Sequence, residues 1–113
     1  MVRLKRVYEP YDKNDGFRIL VDRLWPRGLS KEKAKIDLWL KEIGPSDRLR
    51  KWFGHEDDRW PEFRKRYRAE LKVNKEIVEE LKRSIKDHKK ITLLFGAKNE
   101  KHNQAFVIAE FIN

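Results

Sequence analysis

Two short apolar runs constrain this chain more than any other feature. FRILVD at residues 17–22 and ITLLF at residues 91–95 are rich in β-branched and aromatic side chains. Each is too short for a stable helix and lacks polar alternation, which is the pattern of a strand covered on both faces. The stretch from 44 to 90 reads largely as helix. A long helical connection between two such strands suits a crossover to a parallel neighbour.

The remaining elements fit around that pair. Residues 2–8 alternate, with Val2, Leu4 and Arg6 on one side and Arg3, Lys5 and Val7 on the other, as in a half-buried strand. Pro10 ends it, and a turn-forming cluster leads to Gly16. The link from 8 to 17 is short enough for a hairpin, so a mixed sheet is open. Residues 36–43 fit a strand or a helix equally. The Gly44-Pro45 stop favours the strand. Ser30 is expected to cap one or two helical turns, and Ser46 to cap a helix over 47–53 that ends at Gly54. Asp58 is expected to cap a longer helix, whose apolar stripe is Trp60, Phe63, Tyr67 and Leu71. Ile77, Val78, Leu81 and Ile85 form the next stripe, ending near His88. A last helix carries Ala105, Ile108, Ala109 and Ile112 and is apolar on most sides. The fold class expected is α/β: one domain over 1–113, with a sheet of three to four strands, mainly parallel or mixed, packed with about four helices.

Composition limits the chemistry. The 113 residues include no Cys, which excludes a disulfide scaffold, a zinc ribbon and a thiol nucleophile. No apolar run approaches the ~18 residues of a membrane span, and MVRLKRVYEP lacks a signal-peptide core. A cytoplasmic protein with no membrane partner is the expectation. Charge of both signs with abundant Lys and Glu resembles a thermophile composition, so the net charge of +9 need not mean an anionic partner. Of that excess, +6 lies in residues 59–90, where twelve Lys and Arg face six Asp and Glu.

Ligands of open α/β sheets bind beyond the carboxyl ends of parallel strands. That rule singles out three polar segments: Asp22 to Arg27, then Lys41, Glu42 and Ser46, then Lys98 to Gln104. Arg23 and Arg27 flank Trp25-Pro26 on a rigid kink and suit a multi-donor anion clamp, although Asp22 pairing with an arginine while Trp25 packs would explain the same residues. His102 suits a general base or phosphate contact, or a solvent-facing first-turn residue. Asp22 and His102 are the catalytic candidates. Arg23, Trp25, Arg27, Lys98, Asn103 and Gln104 are the ligand-binding ones. His55 beside Glu56, Asp57 and Asp58 lacks anything to fix metal geometry, so no metal and no cofactor are expected. Arg64, Arg68 and Lys72 fall at i, i+4 and i+8 and form a basic ridge that nucleic-acid phosphates favour, or simply a solvated helix face. The isolated glycines cradle no phosphate, and Ser30, Ser46 and Ser84 lack a nucleophile-elbow context.

The segments VDRLWPRGLSKEKA, DLWLKEIGPS, LRKWFGH, RWPEFRKRYRAEL and ITLLFGAKNEKHNQAFVI follow one another in this order. Together they resemble the YeaO-like proteins, within domain of unknown function 488, over about Val2 to Ile112. The resemblance implies a small α/β fold. Relatives outside this branch carry a Cys after the last strand and a Cys-His-Arg triplet at the following helix. Here Phe95 stands near the first position and His102-Asn103-Gln104 at the second, so thiol chemistry does not carry over. Asp22-Arg23 matches the Asp-x-Arg-like strand end of the wider group. Three readings follow in order: a small anionic ligand at the carboxyl edge of the sheet, bound or turned over; a basic nucleic-acid-binding module; and an accessory subunit that meets a protein partner.

Overall fold

The computed structural model describes residues 2–113. Strands β1 (Val2–Arg6), β2 (Phe17–Leu20), β3 (Leu38–Trp39) and β4 (Ile91–Phe95) form one sheet in the order β1-β4-β2-β3. All three pairings are parallel. Helices α1 (Lys31–Ala34), α2 (Asp47–Phe53), α3 (Trp60–Val73), α4 (Lys75–Asp87) and α5 (Gln104–Ile112) surround it. The fold is α/β, as the two apolar runs require.

Strand periodicity sorts the core into two parts. Ile19, Val21, Ile91, Leu93 and Phe95 face α2 to α5, where Phe53, Phe63, Tyr67, Leu81 and Ile108 complete the main core. Leu20, Leu94 and Val7 point the other way, under Trp25, Leu29 and Ile36 from the segment around α1. β4 is therefore buried on both faces along its whole length, which explains a run with no charged residue, where Thr92 is the one polar side chain.

The second face also buries a charged network. Asp15 is 0% exposed and Arg18 is 1% exposed. Arg18 donates from Nη1 to Asp15 Oδ2, from Nε to the Lys35 carbonyl at 3.0 Å and from Nη2 to the Ala34 carbonyl at 2.8 Å. Lys5 Nζ reaches both Asp15 oxygens at 3.1 and 3.0 Å. Burial pushes the Asp15 carboxyl up, but Lys5, the backbone hydrogen bond with Asp12 and Arg18 outweigh it and hold the group below its ordinary range. The pattern of FRILVD shows a polar residue at Arg18 without revealing that the side chain is interior.

Several boundaries differ from expectation for identifiable reasons. No hairpin joins β1 to β2, because β4 lies between them and pairs with both. The strand expected over 36–43 keeps only Leu38–Trp39. After Leu40 donates its N–H to the Leu20 carbonyl at 3.0 Å, the chain coils into a 3-10 turn over Lys41–Ile43. Asp58 is not a helix cap. A 3-10 turn over Asp57–Arg59 runs straight into α3, and the Trp60 N–H is satisfied by the Asp57 carbonyl. Ser30 and Ser46 cap α1 and α2 as expected, accepting from the N–H groups of Lys33 and Leu49. His88 closes α4 with Nδ1 2.8 Å from the Ser84 carbonyl oxygen.

Gly16 is the tightest backbone approach in the sheet. Its φ is +70°, and a Cβ there would lie 2.4 Å from Lys90 Cβ and 2.4 Å from the Lys90 carbonyl oxygen. Gly28 also has positive φ, at +77°, but a Cβ there would meet nothing within 4 Å among the described residues. Gly28→Ala should therefore cost only the backbone penalty of about 1–2 kcal/mol. Gly16→Ala should cost on the order of 3 kcal/mol, because the starts of β2 and β4 must also separate. Urea unfolding of the two variants checks this, and equal losses would contradict the approach described.

Candidate functional site

Adjacent strands β2 and β4 send their outgoing chains to opposite faces of the sheet. β2 leads through residues 21–30 to α1, on the second face, and β4 leads through residues 96–103 to α5, in the main core. Such a divergence opens a crevice at the carboxyl edge. A cleft of about 240 Å³ lies there.

Of the residues singled out in the sequence, Asp22, Arg23, Trp25, Arg27, His102, Asn103 and Gln104 line this cleft, and Lys98 does not. Lys98 is exposed on the loop after β4. Lys41, Glu42 and Ser46 also lie outside the lining. Ser46 is occupied instead: it donates to Glu70 Oε2 at 2.6 Å, and its N–H reaches Glu70 Oε1 at 2.9 Å.

Each lining side chain has a local cause. Asp22 lies two residues beyond the end of β2. Its Oδ2 accepts the Gly96 N–H at 2.8 Å, and its Oδ1 accepts from Gln104 Nε2. Its carbonyl accepts from Trp39 Nε1 at 2.7 Å. The carboxylate thus ties the end of β2 to the end of β4 and the start of α5, and the backbone carbonyl of the same residue ties it to β3. A Cβ on Gly96 would lie 2.8 Å from Asp22 Oδ2, so only glycine permits this approach. Burial raises the Asp22 carboxyl from its ordinary 3.8 to about 6, against the lowering effect of the Gly96 N–H.

Arg23 is not a free clamp. It donates from Nε to the Pro45 carbonyl at 2.9 Å and from Nη2 to the Gly44 carbonyl at 2.8 Å, fixing the loop before α2. Trp25 donates to the Leu29 carbonyl at 2.6 Å and packs edge-on against Trp39. Arg27 is exposed, and its guanidinium has no hydrogen bond or ion pair among the described residues. Asn103 acts as the α5 cap, accepting the Phe106 N–H at 2.9 Å. His102 stacks on Trp60 with ring centroids 4.7 Å apart, and its Nδ1 lies 2.9 Å from Asp57 Oδ1.

Tyr8 and Arg50 escaped sequence reasoning, and His55 was weighed there only as a metal ligand. Tyr8 enters from the end of β1, donating its hydroxyl to the Arg27 carbonyl at 2.8 Å. Arg50 enters from α2. Its Nη2 donates to Asp47 Oδ1 at 3.2 Å, while its Nε is buried with no partner among the described residues. His55 follows Gly54, and both take left-handed backbone, with φ of +59° at His55. That conformation disfavours a residue with a Cβ by about 1–2 kcal/mol. LRKWFGH carried the only signal, a basic helix running into a Gly-His turn. The cleft therefore gathers three arginines and two histidines around a single carboxylate. Among the described residues, no group of three or more His, Asp or Glu side chains is arranged to hold a metal.

The basic ridge is largely engaged within the fold. Arg64 donates to Glu110 through Nε at 2.8 Å and through Nη2, joining α3 to α5, and Arg68 Nη1 lies 3.9 Å from the same carboxylate.

The chain can now be set beside known proteins. Residues 1–113 match the family model described as the inactive DUF488-N3 subclade. The chain belongs to that family. The uncharacterised protein YeaO of Escherichia coli K12 is 44% identical over 111 residues, covering 98% of this chain and 96% of its own. Uncharacterised proteins of Mycobacterium bovis and Mycobacterium tuberculosis are 36% identical over 112 residues, covering 99% of this chain and 93% of theirs. No solved structure matches the chain. No helix among the described residues is long and apolar enough to cross a membrane.

The Asp22 environment fixes a pH dependence. The folded state binds this proton more tightly than the unfolded chain does, so the group favours folding most below pH ~4. Its contribution declines as pH rises to about 6 and is constant above that. The full change is on the order of 3 kcal/mol. Asp15 acts in the opposite sense and at lower pH: its contribution is complete above about 4 and is lost as pH falls through its depressed value. Unfolding midpoints between pH 4 and 7 should show a declining component in the wild type that Asp22→Asn lacks. Parallel profiles would contradict the assignment.

Proposed function

We propose that this protein binds a small phosphate- or carboxylate-bearing molecule in the cleft at the carboxyl edge of β2 and β4. The observation that carries this reading is the convergence of Arg23, Arg27 and Arg50 from two separate segments on one cleft that also holds His55 and His102. Among the described residues, Arg27 has an uncommitted guanidinium, and Arg50 has a buried Nε without a hydrogen-bond partner. Guanidinium groups present a fork of donors matched to phosphate and carboxylate oxygens. His102, held by Asp57, supplies a further contact whose donor capacity rises when the ring is protonated.

Binding is the core of the proposal, and turnover is not required by it. The family description calls the subclade inactive, and the chain has no thiol. Asp22 then acts as an acceptor and a tie between loops. The nucleic-acid reading rests on Arg64, Arg68 and Lys72. The first two have their guanidinium groups directed at Glu110, which leaves less for phosphates than the spacing promised.

A thermal-shift and calorimetry panel tests the reading. Phosphate, sulfate, small carboxylates and phosphorylated metabolites are compared with short RNA and DNA at two salt concentrations. A ligand present at 100 times its Kd should stabilise the wild type by about 2.7 kcal/mol. Arg27→Ala and Arg50→Ala should each remove most of that shift. Stabilisation only by polymers, erased by salt, would overturn the proposal, as would a small-anion shift that survives both substitutions.

A further inference from the structure

The cleft is not a simple anion hole. Asp22, its one carboxylate, forms no ion pair among the described residues, although three arginines line the same cleft. Its orientation is fixed by the Gly96 N–H and Gln104 Nε2, while Trp39 holds the Asp22 backbone carbonyl. Each carboxylate oxygen can accept about two hydrogen bonds, and each of these has accepted one from the protein. What remains is a preorganised acceptor with capacity for donors from a ligand. A ligand that brings only an anionic group leaves this carboxylate facing negative charge. A ligand that also brings neutral donors satisfies it.

The surroundings narrow the donor type. An ammonium placed here would meet the positive field of the three arginines, whereas hydroxyl groups carry no such cost. Trp25, Phe53 and Tyr8 give the walls aromatic surface suited to C–H faces. The volume of about 240 Å³ is smaller than the roughly 300–1,000 Å³ of pockets for drug-sized ligands, so a compact molecule fits.

Building on the anion-binding reading, we propose that the ligand is a small phosphorylated polyol or sugar, with its phosphate on Arg27 and Arg50 and its hydroxyl groups on Asp22. The molecule is held at both ends, and a compact anion without hydroxyl groups satisfies only one of them.

Calorimetry on the wild-type protein at pH 7.5 separates the two ideas. The probes are inorganic phosphate, butyl phosphate, glycerol 3-phosphate, ribose 5-phosphate and glucose 6-phosphate. At least one of the three hydroxylated phosphates should bind about tenfold or more tightly than butyl phosphate, which has a comparable phosphate and no hydroxyl groups. Asp22→Asn should erase most of that preference while binding of inorganic phosphate is kept or tightened, since the variant removes a like charge. Butyl phosphate binding as well as all three hydroxylated phosphates would overturn the inference and leave the anion site standing. A preference that persists in Asp22→Asn would overturn the role of Asp22. Failure of every phosphate to bind would overturn the anion-binding reading and this inference with it. The wild-type comparison decides the main point even if Asp22→Asn does not fold.

Discussion

Insertion of β4 between β1 and β2 is the constraint on which the rest of the structure depends. Residues from the far end of the chain complete a sheet begun in its first 20, with Val2 and Phe17 both opposite Ile91. Beyond the regular ladder, the Val7 N–H reaches the Phe95 carbonyl at 2.8 Å, and the Val21 N–H reaches the Leu94 carbonyl at 3.1 Å. These bonds align the carboxyl ends of β1, β2 and β4. Only because those ends coincide does Gly96 lie beside Asp22, and only because the outgoing chains diverge does a crevice open there. Closing a loop this long is entropically unfavourable, and the doubly buried apolar strand supplies the compensating burial.

The second face of the sheet has a different logic. Here the central position of Arg18 on β2 is interior and hydrogen-bonded on three sides, with Asp15 as counter-charge. Desolvating such a pair is costly, and hydrophobic replacements of similar shape can be as stable. The arrangement does something that apolar packing would not: it joins β1, through Lys5, and the end of α1, through Arg18, to Asp15 in the turn before β2. The Thr92 hydroxyl adds β4, donating to the Asp15 carbonyl at 2.7 Å.

Net charge misleads about partners in this chain because many arginines serve the fold. Arg18, Arg23 and Arg6 donate to backbone carbonyls, and Arg64 joins two helices through Glu110. Arg59 and Arg66 lie over the Trp52 ring, and Arg68 lies over Phe111. Guanidinium groups suit these tasks since they combine a flat, weakly hydrated surface with several fixed donors. The arginines left for a ligand are those that an internal acceptor does not saturate, which is why Arg27 and Arg50 carry the anion-binding reading and Arg23 contributes less.

The sequence by itself determined most of the elements and the edge of the sheet at which the candidate cleft lies. ITLLF and FRILVD read as buried strands because no charged residue in the first, and only Arg18 inside the second, interrupts the run; Ser30, Ser46, Gly54 and the Trp60–Leu71 stripe marked helix limits and faces through local geometry alone. The sequence also placed Asp22, Arg27 and His102 among the candidates, since each follows a strand or opens a helix. Only the tertiary structure decided which of these meet. Tyr8, Arg50 and His55 lie on elements whose own patterns say nothing of a cleft, and Lys98 lies outside the cleft despite its position after β4. Whether Arg23 is free or bound to Gly44 and Pro45, and whether Arg18 is interior, depends on contacts across 16 to 22 residues of sequence. Local periodicity records which way a side chain leaves its own backbone; what it meets there is set by chain segments that arrive from elsewhere.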